Sequence, residues 1–280
     1  MNTIDAILSL ASMLLWLNAT VRQWSLRGPQ TAYSLLRTLE RLEVPAPRRW
    51  TSLITLLALL CFRSVFYWQI GSAVGWTPSV DLGPFGISFR SDHASRMFLY
   101  SSISFARWLI LLYMAILFLV LLNRGPGEGD PMHRFLFHQL GRCAHWPAPV
   151  LLPLTLVATV LLWGCAVYPL SQMSIFPAPQ AFHVVLAHGL LMGIGLWLKL
   201  RWLIFGVLLL HLMNSYVYFG NHPFWAFISQ CGRKISKLAS WLPLHLGKID
   251  LRPVGAAAMV FLICSVGDPL LVWLFGKVQP

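Results

Sequence analysis

Five charged side chains stand where hydrocarbon is expected. Arg63, Arg107, Lys199, Arg201 and Asp268 fall within or at the edge of long apolar runs. An ionised group at the centre of a membrane helix costs about 2.5–3.5 kcal/mol on insertion scales, so it finds a partner or lines a path for a solute or proton. Arg63 lies deepest, at the middle of its run, and is the candidate for a buried pair; no carboxylate stands out as its partner. Arg107, Lys199 and Arg201 have stems long enough to snorkel to a headgroup. Asp268 lies near the end of the last run and is expected to face water rather than an ion partner.

The remaining chemistry-bearing residues point elsewhere than catalysis. Nine histidines invite a metal or haem reading. Yet His183 and His188, like His133 and His138, are five apart, off the i, i+4 spacing that puts two ligands on one helix face. His211 stands alone, and packing or interfacial roles suit these side chains better. Cys61, Cys143, Cys165, Cys231 and Cys264 form no Cys-x-x-Cys pair and are expected to be free thiols acting as small apolar groups. The phosphate-loop, His-Glu-x-x-His and Gly-x-Ser-x-Gly patterns are missing. No catalytic, cofactor-binding or metal residue is expected, and the chain is read as a non-enzyme.

The elements that position these residues follow from composition. Of 280 residues, 57% are hydrophobic and 11% charged, where a soluble domain has about a quarter charged. A bilayer core is crossed by roughly 20 apolar residues as a helix, and ten-residue segments of alternating polarity, the mark of a barrel, do not occur. The fold class is all-α: a polytopic transmembrane helical bundle of about six spans, at residues 4–21, 50–74, 97–122, 150–170, 182–219 and 254–275. Asp5 interrupts the first, which has no basic residue ahead of it and does not read as a signal peptide. The fifth is too long for one ordinary span, and Lys199 and Arg201 divide it. With no turn signal between its halves it is expected to be one helix, or an interfacial helix entering a span, rather than a hairpin. Gly267-Asp268-Pro269 is expected to kink the sixth.

Basic residues alternate by side. Fourteen fall between spans one and two, three and four, and five and six, against Arg90, Arg96 and Lys277 on the opposite side. The positive-inside bias places those three segments in the cytoplasm and both termini outside it, as in a multi-pass protein of the inner (cytoplasmic) membrane. The net charge of +12 is then explained by anionic lipid at the cytoplasmic leaflet, each basic residue worth about 1 kcal/mol there. Nucleic acid is the poorer partner for it.

An internal repeat organises the second half. Arg107-Trp108-Leu109-Ile110 recurs as Arg201-Trp202-Leu203-Ile204, Pro131 and Phe135 match Pro223 and Phe227, and Gln139-Leu140-Gly141-Arg142 matches Gln230-Cys231-Gly232-Arg233. Pro149-Val150 then matches Pro253-Val254. Each unit is a span, a basic cytoplasmic segment and a second span, so the repeat is parallel rather than inverted. The chain divides into a two-span extension at 1–96, a first unit at 97–172 and a second at 173–280. The basic segments carry apolar residues at helical spacing, such as Phe224, Phe227, Ile228, Cys231 and Ile235. They read as amphipathic helices, lying in the interface or packed on the cytoplasmic end of the bundle.

The second unit reads Asn221-x-Pro223, then Leu242-Pro243, then Gly247-Lys248-Ile249-Asp250-Leu251-Arg252-Pro253. It resembles the YggT (YlmG) family, whose repeat carries an Asn/Ser-Pro start, a basic amphipathic stretch ending in Leu-Pro-Pro and a Gly-Gly-Ile-Asp-x-Ser-Pro segment. The resemblance covers about residues 97–275 and is specific over 221–254. Lys248 stands where the second Gly is expected and Arg252 where Ser is expected. The first unit keeps Asp130-Pro131 but lacks the Gly-Ile-Asp segment, and the first two spans have no counterpart in the minimal family. The resemblance implies a small membrane protein without catalytic residues, of a kind associated with assembly or distribution of membrane complexes, division and osmotic tolerance. The residues singled out are therefore Pro223, Arg233, Pro243, Gly247, Asp250 and Pro253 from the motif, and Arg63 from the buried charge. Asp250 and Pro253 also suit a plain helix start, with Asp250 as cap and Pro253 in the first turn. The expected function is a non-catalytic scaffold or assembly factor for a membrane protein partner that sequence does not name; the alternative is a small transporter or channel with Arg63 and Asp268 on its path. Reporter fusions test the orientation: those after Arg49, Arg142 and Lys237 should report cytoplasm, and those after Asp81 and at Pro280 the opposite side. A cytoplasmic C-terminus would overturn the six-span arrangement.

Overall fold

Lipid satisfies no backbone N–H or C=O group, so an apolar run entering it must close its hydrogen bonds internally, as a helix does. The computed structural model describes residues 2–20, 49–124, 131–177, 181–217, 222–241, 245–246 and 249–278. In chain order these form α1 (Asn2–Thr20), α2 (Arg49–Val74), β1 (Ser79–Asp81), β2 (Gly86–Ser88), α3 (Ala94–Leu122), α4 (Pro131–Leu140) and α5 (Ala148–Gln172). There follow α6 (Phe182–Lys199), α7 (Arg201–Tyr216), α8 (Pro223–Ser236), β3 (His245–Leu246), β4 (Ile249–Asp250) and α9 (Arg252–Val278). Six helices, with α6 and α7 taken as one, are long and apolar enough to cross a membrane. Only 17–33% of their most apolar windows is buried by protein, which leaves side chains such as Phe62, Leu161 and Leu262 exposed. That apolar exterior is what a bilayer covers; the chain is a polytopic helical membrane protein.

The fifth span runs through Phe182–Tyr216, 35 residues. At 1.5 Å per residue this is about 52 Å, well beyond the ~30 Å hydrocarbon core. Its two halves meet at Leu200, which keeps right-handed helical angles (φ −64°, ψ −10°). The Leu200 amide donates to the Trp197 carbonyl at 3.1 Å, a local i→i−3 tightening between Lys199 and Arg201. α9 packs along both α6 and α7. The segment is thus one long interrupted helix, not a hairpin.

Small residues set the tightest helix pair. A Cβ on Gly189 would lie 2.7 Å from Val160 Cα, and one on Gly193 would lie 2.5 Å from Thr159 Oγ1. Gly189 and Gly193 form a Gly-x-x-x-Gly stripe on α6 that lets the α5 backbone approach. Packing of this kind holds membrane helices together where no hydrophobic drive exists between them.

The two halves of the chain share an order of elements. α3, α4, a 3₁₀ turn at Gly141–His145 and α5 are followed by α6–α7, α8, a 3₁₀ turn at Lys237–Ala239, the β3–β4 pair and α9. Pro131 and Pro223 each occupy the first helical position, where the missing N–H costs no intrahelical bond. His222 caps α8, its Nδ1 accepting the Phe224 amide at 3.2 Å. The apolar face of α8 (Phe227, Ile228, Cys231, Ile235) is buried against Ile116 and Val120 of α3, Val207 and Leu208 of α7 and Ala256 of α9. Polar links fasten it: Asn123 Nδ2 to Cys231 Sγ at 2.8 Å, Asn214 Nδ2 to Ser229 Oγ at 2.7 Å, and Lys234 Nζ to the Arg124 carbonyl at 3.3 Å. The helix packs on the end of the bundle instead of resting its apolar face in acyl chains.

The two glycines matched in the repeat are required for different reasons. Gly141 has φ +57° with nothing near its absent Cβ, so its need is conformational. Gly232 is helical, and a Cβ there would meet His211 Cγ at 2.2 Å. Gly232→Ala should therefore cost about 1–3 kcal/mol through overpacking and lower the melting temperature of the detergent-solubilised protein. Gly206→Ala, in the middle of α7 with no atom within 4 Å of the added methyl, should be neutral or slightly stabilising. Equal melting temperatures for the two variants would refute the close approach of α7 and α8.

Candidate functional site

The charged residues gather where a hairpin enters the bundle. β1 and β2 pair Ser79 with Ser88, Val80 with Ile87 and Asp81 with Gly86. Val80 and Ile87 point inward and, with Leu82 and Phe89, are almost wholly buried. The turn between the strands reaches α6: Gly83, at φ +108°, comes so close that a Cβ would lie 2.9 Å from Gly195 Cα. Both partners must be glycine for backbone to meet backbone. Beyond the turn, Phe85 stacks on Phe275 of α9 (centroids 4.5 Å) and meets Trp163 edge-on at 5.2 Å. Phe176 and His188 complete the cluster at 5.8 and 6.2 Å from Phe85.

At the hairpin edge, Asp81 accepts from Lys199 Nζ at 2.8 Å and from the Gly83 amide at 2.9 Å. Burial alone would push the Asp81 carboxyl up. The Lys199 and Gly83 hydrogen bonds, with the charges of Lys199 and Arg107, outweigh it and hold the group below the ordinary carboxylate range. Arg107 itself lies over the Trp108 ring at 5.7 Å, as Arg201 lies over Trp202 at 5.9 Å. Arg201 pairs with Asp268 of α9 at 2.5 Å. The expectation that Asp268 has no ion partner is corrected: Arg201 reaches it from the neighbouring helix, while the Asp268 side chain keeps 35% of its exposure. Lys199 and Arg201 are likewise engaged by carboxylates.

Arg63 is 0% exposed and pairs with Asp5 of α1 at 2.5 Å. Its Nε donates to the Tyr67 hydroxyl at 3.2 Å and its Nη2 to Ser104 Oγ at 3.1 Å. The Tyr67 hydroxyl in turn donates to Asp5 at 2.8 Å. The guanidinium carbon sits 5.4 and 5.7 Å from the Tyr67 and Tyr100 ring centres. One ion pair thus ties α1, α2 and α3 together. Its acidic member sits in the feature that sequence reading treated only as an interruption of the first span.

The motif residues lie elsewhere. Pro223 opens α8, Pro253 is buried in the first turn of α9, and Arg233 is exposed near the end of α8. Pro243 and Gly247 fall outside the described residues, as does the side chain of Asp250; the Asp250 backbone pairs with His245 in the β3–β4 ladder. None of these approaches the hairpin cluster or Arg63 through a described contact. Among the described residues, no three His, Cys, Asp or Glu side chains converge as metal ligands do.

One open space adjoins the charged cluster. A cleft of about 260 Å³ between α3 and α5 is lined by Leu82, Arg107 and Trp163 among others. A second, of about 410 Å³, continues toward Gln139 and Cys143. Both are walled almost entirely by apolar side chains. Comparison with family models, curated proteins and solved structures finds no match.

The Arg63–Asp5 pair gives a direct test. Removing one partner of a buried pair leaves an uncompensated charge and costs about 3–5 kcal/mol, whereas removing both costs far less. Asp5→Asn should strongly lower the stability of the solubilised protein, and Asp5→Asn combined with Arg63→Gln should recover much of it. Additive losses in the double variant would show that the two side chains act independently.

Proposed function

We propose that this protein is a non-catalytic membrane scaffold or assembly factor of the YggT type, set in the inner membrane with both termini outside the cytoplasm. The observation that carries the reading is the pairing of three carboxylates with basic residues of the spans. Asp5 is bound to Arg63, Asp81 to Lys199 and Asp268 to Arg201, each joining two different elements. Carboxylates used in this way lock helices together, and their charge is already neutralised where a proton or cation relay would need it exchangeable. The shared order of span, proline-started amphipathic helix, 3₁₀ turn and span supports a parallel repeat. α8, buried on one face and presenting Arg233 on the other, with Lys237 exposed in the 3₁₀ turn that follows, supplies a rigid basic surface at the cytoplasmic leaflet for a partner and for anionic lipid.

A transporter or channel is the second reading, and one observation favours it: the fifth span is interrupted at Leu200 between two charged residues, a feature that transporters place at substrate sites. The readings separate in the full-length protein. Reconstituted into vesicles, a scaffold should give no saturable ion or solute flux above empty vesicles. Cross-linked in native membranes, it should form a stoichiometric adduct with another membrane protein, weakened by Arg233→Glu with Lys237→Glu. Saturable flux abolished by Asp268→Asn, with no such adduct, would overturn the scaffold reading in favour of transport.

A further inference from the structure

The clefts between α3 and α5 share Ile110 and Leu162 in their walls, so they form one groove along the helix pair. It begins near Leu99 and Pro169, passes Arg107 close to the midpoint of α3, and ends near Gln139 and Cys143. Two residues that line its middle each carry a donor without a partner. Arg107 Nε is buried with no hydrogen-bond partner among the described residues, and so is Nε1 of Trp163, a residue only 1% exposed.

The local charge does not balance. Arg107 and Lys199 act on the same carboxylate, Asp81, and the carboxylate lies 2.8 Å from Lys199. One positive charge is left over beside an apolar groove. A charge in that setting calls for an anion, because hydrocarbon offers it nothing else. A guanidinium fork fits a carboxylate with two parallel N–H donors. The depth of Arg107 selects among lipids. A phospholipid head is held at the interface, about 15 Å from the centre of a ~30 Å core, whereas the unused donors lie near mid-span. The groove otherwise takes only apolar atoms, which suits a single chain carrying one small anionic end.

We propose that the α3–α5 groove is a binding site for a long-chain carboxylate, a fatty-acid anion whose head pairs with Arg107 beside the Trp163 N–H and whose chain lies along the groove toward Gln139. The site is independent of whether the protein scaffolds a partner or moves a solute. It gives Arg107 the anionic partner that Arg63 and Arg201 find within the chain.

The test uses the full-length, delipidated protein in detergent and dibrominated stearic acid, whose bromines quench tryptophan fluorescence on contact. Saturable quenching is expected, with a component lost in Trp163→Phe. Arg107→Gln should weaken the apparent Kd about tenfold, the worth of one charge-assisted hydrogen-bonded contact. The dibrominated alcohol, which lacks the carboxylate, should bind wild type and Arg107→Gln equally weakly. Ala158→Phe, at an exposed position in the groove wall, should abolish saturable quenching without touching Arg107, so the site remains testable even where Arg107→Gln fails to fold. Equal affinities for acid and alcohol, or unchanged binding in Ala158→Phe, would overturn the proposal. So would dibrominated phosphatidylglycerol binding as tightly as the acid, since that marks ordinary anionic lipid at the surface.

Discussion

A guanidinium in hydrocarbon has to be answered by a carboxylate, and the arrangement of this bundle depends on that demand. Arg63 has no exposure at all, and its countercharge comes from the first turn of a different helix. α1 is bound to α2 and α3 by that pair and by the Tyr67 and Ser104 hydroxyls around it. The α6–α7 helix and α9 are joined the same way by Arg201 and Asp268. Lys199 reaches out of the helices altogether and holds the edge of the hairpin. The Arg63 pair is worth more than one on a soluble surface, because the alternative to pairing is a bare charge sealed from any solvent.

The apolar contacts elaborate this frame rather than create it. Between membrane helices the hydrophobic effect is silent, since lipid tails are as apolar as leucine. Fit decides instead. Gly189 and Gly193 admit α5, Gly195 admits Gly83 of the hairpin, and Gly232 admits His211. At Gly189 and Gly195 a single methyl would meet backbone, and at Gly193 and Gly232 it would meet the Thr159 and His211 side chains.

Much of the fold was legible because length and hydropathy alone specify spans in lipid, and α1, α2, α3, α5, α6–α7 and α9 fall where apolar runs predicted them. The interruption at Leu200 was visible as Lys199 and Arg201. The pairings were not. Asp5 reads as a flaw in a short first span, and nothing local says that its partner is Arg63, 58 residues away. Asp268 was assigned to water, and nothing local says that Arg201, 67 residues away, reaches it. The hairpin was missed because three-residue strands carry almost no periodic signal; Gly83-Pro84, a turn dipeptide, was the clue available. The Gly-x-x-x-Gly stripe of α6 was present in the sequence and could have been read directly. At α8 the hydrophobic spacing was clear, but spacing alone does not tell an acyl boundary from a neighbouring helix.

The setting of Phe85 also imposes an order on biogenesis. Its neighbours Trp163, Phe176, His188 and Phe275 emerge from the ribosome long after it does, Phe275 last of the four. Until then the hairpin between α2 and α3 has an apolar tip and no place to put it. The hairpin tip therefore waits for its receptacle through the synthesis of α5 and α6, and α9, the last of these partners to be made, closes it.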